Sequence, residues 1–300
     1  MKLVICICTY KRNDSLFKCL QSINNLKISN KISLKVLIVD NSLNNNSYKI
    51  LKKKKFKFPI IHVNEKKRGI VHSRNRILFE LKKLNPKYVS FFDDDCTVDK
   101  FWLINVLKVI AYKKADIVTG PQIYPKEINS KKINYAIFFE KKVKGNISKV
   151  NWAASNNVFF KYKVISKQNI SFDIKLNKFG IGEDQLFFSI LNQKGFKIYW
   201  SKNIKVYEKI HNHRLNIKWL VSRSYRLGVL GHYIDVKLYG VIFGYLINYL
   251  KSLLYLFFSI SNIFCFFDKE FKIHFLNMIA RFYGRLVGPF KINKIQFYKK

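Results

Sequence analysis

Short apolar runs alternate along the chain with longer stretches in which apolar residues recur at helical spacing. The runs Leu3–Cys8, Lys35–Val39, Ile60–Val63, Tyr88–Phe92 and Ile117–Thr119 read as strands. Between them, Ser15–Leu26 and Ser73–Leu84 carry helical patterns, the first through Leu16, Cys19, Leu20 and Ile23. Asp14 or Ser15 is placed to cap the first helix and Ser73 the second. Strand and helix in alternation predict an α/β domain whose mostly parallel sheet is covered on both faces. In such sheets ligands bind beyond the carboxyl ends of the strands. That rule puts TYKR (9–12), VDNS (39–42), NEKKRG (64–69) and DDDC (93–96) along one edge.

After Gly228 the pattern changes. Residues 240–267 are almost entirely apolar, interrupted by Asn248, Lys251 and Asn262. The run is long enough to reach across a hydrocarbon core, yet a central lysine suits an interfacial helix or helical hairpin at least as well as a span. A helical pair packed on the α/β domain is the alternative. The segment that follows is basic and aromatic, with Lys269, Lys272, Arg281, Arg285 and a terminal KINKIQFYKK, which anionic lipids would attract. The expected organisation is a domain over 1–228 and a helical, membrane-associating extension over 229–300.

Composition and charge narrow the classes. Of 300 residues, 49% are hydrophobic and 16% aromatic, which specifies a folded chain. A net charge of +38 suggests a polyanionic partner. Only nine of the 56 basic residues are arginine, however, and the lysines are scattered through nearly every loop with many Asn, Ile and Phe. That mixture is what AT-rich codons produce, so much of the charge reads as solvated surface, as does the run Lys52–Lys55. There is no recognition motif and no arginine-rich helix, so nucleic acid is not an expected partner. Cys6 and Cys8 alternate on one strand face, and Cys19, Cys96 and Cys265 stand apart with no metal spacing, which fits a reducing cytosolic compartment. The apolar run of MKLVICICTYKR is too short for a signal peptide and reads as a first strand. His62, His72, His211, His213, His232 and His274 follow no metal-binding pattern.

The candidate chemistry sits at residues 93–95. A chain with only 18 acidic residues places three in a row after the apolar YVSFF. Carboxylates at a strand end can share a divalent cation, which cancels their repulsion and attracts phosphate. Asp93 and Asp95, two apart, would face one site while Asp94 turns elsewhere. The alternative is a polar turn in which Asp95 or Thr97 caps a helix from near Val98. Asp40 closes the second strand as a base- or ribose-binding carboxylate would, and Arg68 and Arg74 lie on the next strand–helix connection, placed for phosphate.

The segments VICICTYKR, VLIVDNS, GIVHSRNRIL, VSFFDDDCTVDKFWL, DIVTGP, SNNVFF, FGIGEDQLFFSILNQKGFKIYW and VYEKIHNHRLNIKWLVSRSYRLG cover about residues 1–228. In that order they resemble glycosyltransferase family 2, nucleotide-sugar enzymes of GT-A fold, and most of all its bacterial exopolysaccharide and succinoglycan-type sugar transferases. The resemblance implies that Thr9, Tyr10 and Arg12 border the nucleotide, that Asp40 contacts the base, and that Arg68, Arg74 and Asn75 lie near ribose and diphosphate. It implies that Asp93 and Asp95 hold a Mn²⁺ or Mg²⁺, with Asp93 and Asp94 also in the nucleotide-sugar set. Asp184 would be the catalytic base with Glu183 beside it, bracketed by Gly180 and Gly182, and Asn157 would bind on the acceptor side. Trp152, Trp200 and Trp219 read as core or wall residues.

The implied reaction is inverting transfer from a nucleoside-diphosphate sugar, with UDP-sugar first among candidates. The acceptor would be a saccharide or lipid-linked saccharide in cell-surface polysaccharide synthesis. The work would take place at the cytoplasmic face of a bacterial-type inner membrane, against its anionic surface. His211 and His213 stand where relatives more often carry proline, so neither is taken as a metal ligand. A nucleotidyltransferase of similar topology would need a glycine-rich loop after the first strand, and CTYKRNDSLF has no glycine. A non-catalytic basic membrane-surface or nucleic-acid-binding protein would not need Asp93, Asp95 and Asp184 together.

Overall fold

The computed structural model describes residues 1–44, 47, 51, 55–124, 138, 143–261 and 269–292. Lys52–Lys54, Asn262, Cys265 and residues 293–300, all part of the sequence reading above, lie outside the described residues. The chain divides into two compact units. The first comprises Met1–Tyr124, Lys141–Asn177 and Glu183–Lys209, and the second Pro125–Glu140, Lys178–Gly182 and Ile210–Lys300.

The first unit is built on β1 (Lys2–Thr9), β2 (Ser33–Asp40), β3 (Ile60–Asn64), β4 (Tyr88–Asp93), β6 (Ile117–Thr119), β8 (Ile147–Lys149), β9 (Asn157–Lys161) and β10 (Ile198–Ser201). These form one sheet in the order β3-β2-β1-β4-β9-β6-β10-β8. Strands β3, β2, β1 and β4 run parallel, whereas β9 is antiparallel to both β4 and β6. A small second sheet holds β5 (Cys96–Val98), β7 (Gln122–Ile123) and β11 (Val206–Glu208). The helices of this unit are α1 (Asn13–Asn24), α2 (Ile70–Leu84), α3 (Trp102–Lys113), α4 (Lys163–Ser166) and α5 (Glu183–Gln193).

Side-chain alternation along β1 explains the layering. Leu3, Ile5 and Ile7 enter one core with Leu16, Leu20 and Trp102 of α1 and α3, while Val4 and Cys6 enter the other with Ile77, Leu81 and Phe187 of α2 and α5. Cys6 and Cys8 share that second face, as their spacing predicts. Each fully buried aliphatic side chain here contributes about 1.5–3 kcal/mol. The register then fixes one edge: Thr9 lies beside Asp40, Asp40 beside Asn64, and Cys8 beside Asp93.

Three expected caps are corrected. Helix α1 begins at Asn13, because the Leu16 amide already bonds the Arg12 carbonyl, and no side chain caps it. Helix α2 takes Gly69 as its N-cap, so Ser73 lies inside the helix and its hydroxyl donates back to the Gly69 carbonyl at 3.4 Å. No helix starts near Val98. Residues Cys96–Val98 form β5, where Thr97 pairs with Tyr207 of β11, and α3 begins at Trp102.

The second unit contains three long helices, α6 (Ile217–Tyr239), α7 (Val241–Ser261) and α8 (Lys269–Lys291). Asn216 caps α6 by accepting from the Trp219 amide at 2.8 Å, and the helix runs unbroken through Gly228. Helices α6 and α8 approach closely where Gly228 faces Gly284, with the Ser224 hydroxyl donating to Asn277 across the same contact at 2.9 Å. Asp235 of α6 accepts from Arg285 at 2.7 Å and from Lys251 at 2.6 Å, tying the three helices together.

Candidate active site

The three aspartates end β4 and open the turn into β5. The Thr9 hydroxyl donates to Asp94 at 2.8 Å, and Arg12 donates from one nitrogen to Asp94 at 3.2 Å and to Asp95 at 2.8 Å. Asp94 therefore does not turn away, as the spacing suggests. It is buried and shares a guanidinium with Asp95. Asp93 remains half-exposed and faces Arg74 at 3.5 Å. Burial pushes Asp94 up to about 7, opposed by Arg12 and aided by repulsion from Asp95. Partial loss of water around its carboxyl pushes Asp93 upward as well, opposed by Arg74 and aided by Asp95 and Asp184. The corner is thus overloaded with negative charge even with two arginines in place.

The second half of the site is the start of α5. Gly180 and Gly182 both take positive φ, at 63° and 85°, so the chain enters the helix through a turn that favours glycine. Glu183 is buried and ion-paired with Arg74 through one carboxylate oxygen, while its other oxygen is buried with no hydrogen-bond partner. Burial pushes Glu183 up to about 7, outweighing the pull of Arg74, and Asp184 adds repulsion. Arg74, itself buried beside the Phe172 ring, therefore bridges Asp93 on the sheet and Glu183 on the helix. Asp184 is held separately. One of its oxygens accepts from the Ser155 amide at 3.1 Å and hydroxyl at 3.4 Å, and the other from the Gln185 amide at 2.8 Å.

The remaining expected residues divide into those near an open edge and those spent on structure. Tyr10 is exposed, and Arg68 lies over its ring at 5.6 Å. Asp40 is buried and organises its own loop, accepting from the Ser42 amide at 2.8 Å and the Ser47 amide at 3.1 Å. Burial raises its carboxyl, but hydrogen bonds from His62, Ser47 and Ser42 outweigh that and hold it well below the usual range. The Asn75 amide is committed to the Phe172 backbone, donating at 2.9 Å and accepting at 2.8 Å. Asn157 is 0% exposed: it accepts from the Trp102 indole at 2.8 Å and donates to Ile204 at 2.7 Å and Pro121 at 3.2 Å. With both N–H donors and its oxygen engaged inside the core and no exposed surface, Asn157 is a core residue rather than an acceptor-binding one.

The family model for glycosyl transferase family 2 matches residues 4–174, more than half of the chain. The chain belongs to this family. The succinoglycan biosynthesis protein ExoM of Rhizobium meliloti (strain 1021) is 24% identical over 230 residues, which cover 74% of this chain and 71% of that protein. Among solved structures, residues 1–349 of S. aureus TarS in complex with UDP align with a TM-score of 0.54 at 17% identity, covering 79% of this chain and 70% of that 1–349 chain. The mannosyltransferase PcManGT of Pyrobaculum calidifontis, in complex with GDP-Man and Mn²⁺, aligns with a TM-score of 0.64 at 12% identity, covering 96% and 87%. At these identities the likeness establishes the fold, which is GT-A.

Within this family 2 chain the donor set suits a divalent cation. Asp93 and Asp95 would offer carboxylate oxygens at a corner whose mutual repulsion a cation would relieve, and oxygen donors suit hard divalent cations such as Mg²⁺, Ca²⁺ or Mn²⁺. Glu208 of β11 lies beside Asp95 alone of that pair: oxygens of Asp95 and Glu208 and the Cys96 sulfur all lie within 4.8 Å of one another, and Asp93 is not in that group. Burial raises the Cys96 thiol well above its ordinary value, and the thiol donates to Glu208 at 3.9 Å. His211 and His213, whose rings stack at 5.7 Å, belong to no such group among the described residues.

Four supporting residues carry roles that the sequence reading did not assign them. Asn41 donates to the Glu65 and Lys67 carbonyls at 2.7 and 2.8 Å and accepts from the Gly69 amide at 2.7 Å. Asn177 donates to the Arg68 carbonyl at 3.1 Å, so the two asparagines pin the loop that carries Arg68. Ser155 holds Asp184, and Glu208 faces the aspartate corner. Asn41 lies inside VDNS, Ser155 inside SNNVFF and Glu208 inside VYEKIHNHR, but their contacts arrive through strand and loop pairings far apart in sequence.

Proposed function

We propose that this chain transfers a sugar from a nucleoside-diphosphate sugar, UDP-sugar first, to a saccharide or lipid-linked saccharide acceptor, with inversion at the anomeric carbon. The observation that carries the reading is the Arg74 bridge, which joins the strand-end Asp93 to Glu183 beside Asp184 on one edge of the sheet. That TarS is seen with UDP and with UDP-GlcNAc, and PcManGT with GDP-Man and Mn²⁺, supports the donor class. The name of ExoM supports a role in polysaccharide synthesis. The acceptor is presented at the cytoplasmic face of a bacterial-type inner membrane, whose anionic surface suits the charge of +38.

The nucleotide lies along the edge formed by Thr9, Tyr10, Arg12 and Arg68, with Asp40 shaping the loop beside the base. Asp93 and Asp95 would hold a Mn²⁺ or Mg²⁺, which would supply positive charge to neutralise a leaving diphosphate. Arg12 and Arg68 add positive charge near that group. Asp184 accepts the proton of the acceptor hydroxyl as its oxygen bonds the anomeric carbon and the bond to diphosphate breaks on the opposite face. The Ser155 and Gln185 amides hold the Asp184 carboxylate in the orientation that this requires, and Glu183 anchors the helix start through Arg74.

Thermal shift against UDP-, GDP- and dTDP-sugars with Mn²⁺ tests the reading, followed by transfer assays with the stabilising donor. Stabilisation by none of them sinks it. Asp95→Asn should weaken the donor nucleotide at least about tenfold, or ~1.4 kcal/mol. Equal calorimetric affinity with chelator and with Mn²⁺ would remove the metal from the mechanism.

A further inference from the structure

Helix α7 has its polarity reversed. Its buried positions are Gly244, Asn248, Ser252 and Ser259, every one glycine or polar, and their spacing of four, four and seven sets them on one face. Asn248 is 0% exposed, exchanging hydrogen bonds with Arg285 at 3.0 and 3.2 Å. The other faces carry Ile242, Leu246, Leu250, Leu253, Phe257 and Phe258, all exposed, Ile242 to 82%. A helix in a water-soluble bundle buries its apolar stripe and exposes its polar one. Here the apolar residues outnumber the polar ones and point outward.

The contacts inside the bundle are those of helices that associate without a hydrophobic driving force. Small residues let α6 and α8 approach at Gly228 and Gly284, and polar side chains bond between helices at Ser224–Asn277, Asp235–Arg285 and Asp235–Lys251. The helix is also the right length: 21 residues extend about 30 Å, close to a hydrocarbon core. Asn248 bonds Arg285 while Tyr255 meets Arg281, so α7 and α8 run antiparallel. Exposed lysines consequently mark both ends of the bundle, Lys237 and Lys291 at one and Lys269 and Lys272 at the other.

We infer that the outward face of α7 is seated in the hydrocarbon of a bilayer, with the flanking lysines at anionic headgroups and the Asp235–Arg285–Lys251–Asn248 cluster as the internal clamp of an inside-out bundle. The inference rests on the membrane part of the proposed function and names the surface and residues that carry it. It does not depend on the sugar chemistry, so its test reads lipid rather than transfer.

The full chain, purified in detergent, is mixed with neutral phosphatidylcholine vesicles or with vesicles containing phosphatidylglycerol, and floated at low and high salt. The wild-type chain should float with both, more with the anionic lipid, and keep most of its binding at high salt. Leu246→Lys with Phe257→Lys raises the positive charge, so a purely electrostatic attachment would strengthen. Seating in hydrocarbon predicts the reverse, a loss of about tenfold or more on neutral vesicles, because a charge on the lipid face is costly. Unchanged or stronger flotation of that variant overturns the inference, as does complete release of the wild-type chain by salt. A variant that floats as before while passing from dimer to monomer would assign the face to a second copy and equally overturn it. Phe257→Trp covers the case in which the lysine variant fails to fold. Its added emission should be quenched by lipids brominated in the acyl chain, and absence of quenching refutes the seat.

Discussion

Asp184 and Glu183 are neighbours in sequence with opposite surroundings, and the difference predicts their mutants. Asp184 is half-buried and held by amide donors on both oxygens, so Asp184→Asn keeps its shape and removes its basicity, at the expense of one bond to the Ser155 or Gln185 amide. Donor binding should survive while transfer falls at least about 10²-fold, measured on the same preparation. Near-normal transfer would move the base to Glu183 or Glu208. Glu183 is buried against Arg74, and its carboxyl, raised from 4.5 to about 7, takes up a proton more readily in the folded chain than in the unfolded one. Its contribution to stability is therefore full below about pH 4.5 and is lost as pH rises through about 7. Melting temperature should fall over that window, and Glu183→Gln should flatten the fall while reducing transfer less than Asp184→Asn. Arg74→Ala leaves two carboxylates without their shared cation and should cost about 3–5 kcal/mol in urea unfolding. At this scale the sequence pointed to candidate residues but not to their partners. Asp93, Asp95 and the pair at 183–184 declared themselves by carboxylate scarcity and strand-end position. The Arg74 bridge spans 109 residues, and no local pattern announces it.

Elements, rather than single side chains, decide where the loop 65–69 sits. Gly69 takes φ of 126° as the N-cap of α2, and a Cβ there would strike the Asn177 amide. Gly69→Ala should therefore cost about 1–3 kcal/mol in backbone strain and displace Arg68, seen as a lower melting temperature with weaker donor binding. If the variant melts and binds as the wild type, the loop is not set by this contact. The five apolar runs became β1, β2, β3, β4 and β6 within a residue or two of the expected ends, because continuous apolar character leaves a parallel strand little choice. Helix starts were misplaced for a physical reason. Ser, Asp and Thr are good caps in isolation, but the Arg12 carbonyl and Gly69 backbone supply the first turns here, and pairing with β11 turns Cys96–Val98 into a strand.

Over the whole molecule the two units differ in what holds them. One buries apolar residues between a sheet and its helices, and the other joins helices through glycine, serine and paired charges. The chain should accordingly fractionate with membranes, stay there in high salt and leave with detergent; release by salt alone would mean a merely electrostatic attachment. The apolar run was legible in the sequence, but its outward direction was not, since a hydropathy count cannot tell which face packs. The expected boundary at Gly228 likewise falls within α6, whose helical pattern does not mark where one unit stops. The order of the segments has a consequence in time. The sheet unit is complete in sequence at Lys209, and α7 is synthesised only afterwards. At roughly 5–20 residues per second, the ribosome allows the catalytic sheet seconds to close before the greasy helix emerges. Seating of α7 in a bilayer, as inferred above, would thereby come late in the life of the nascent chain and act on a folded passenger.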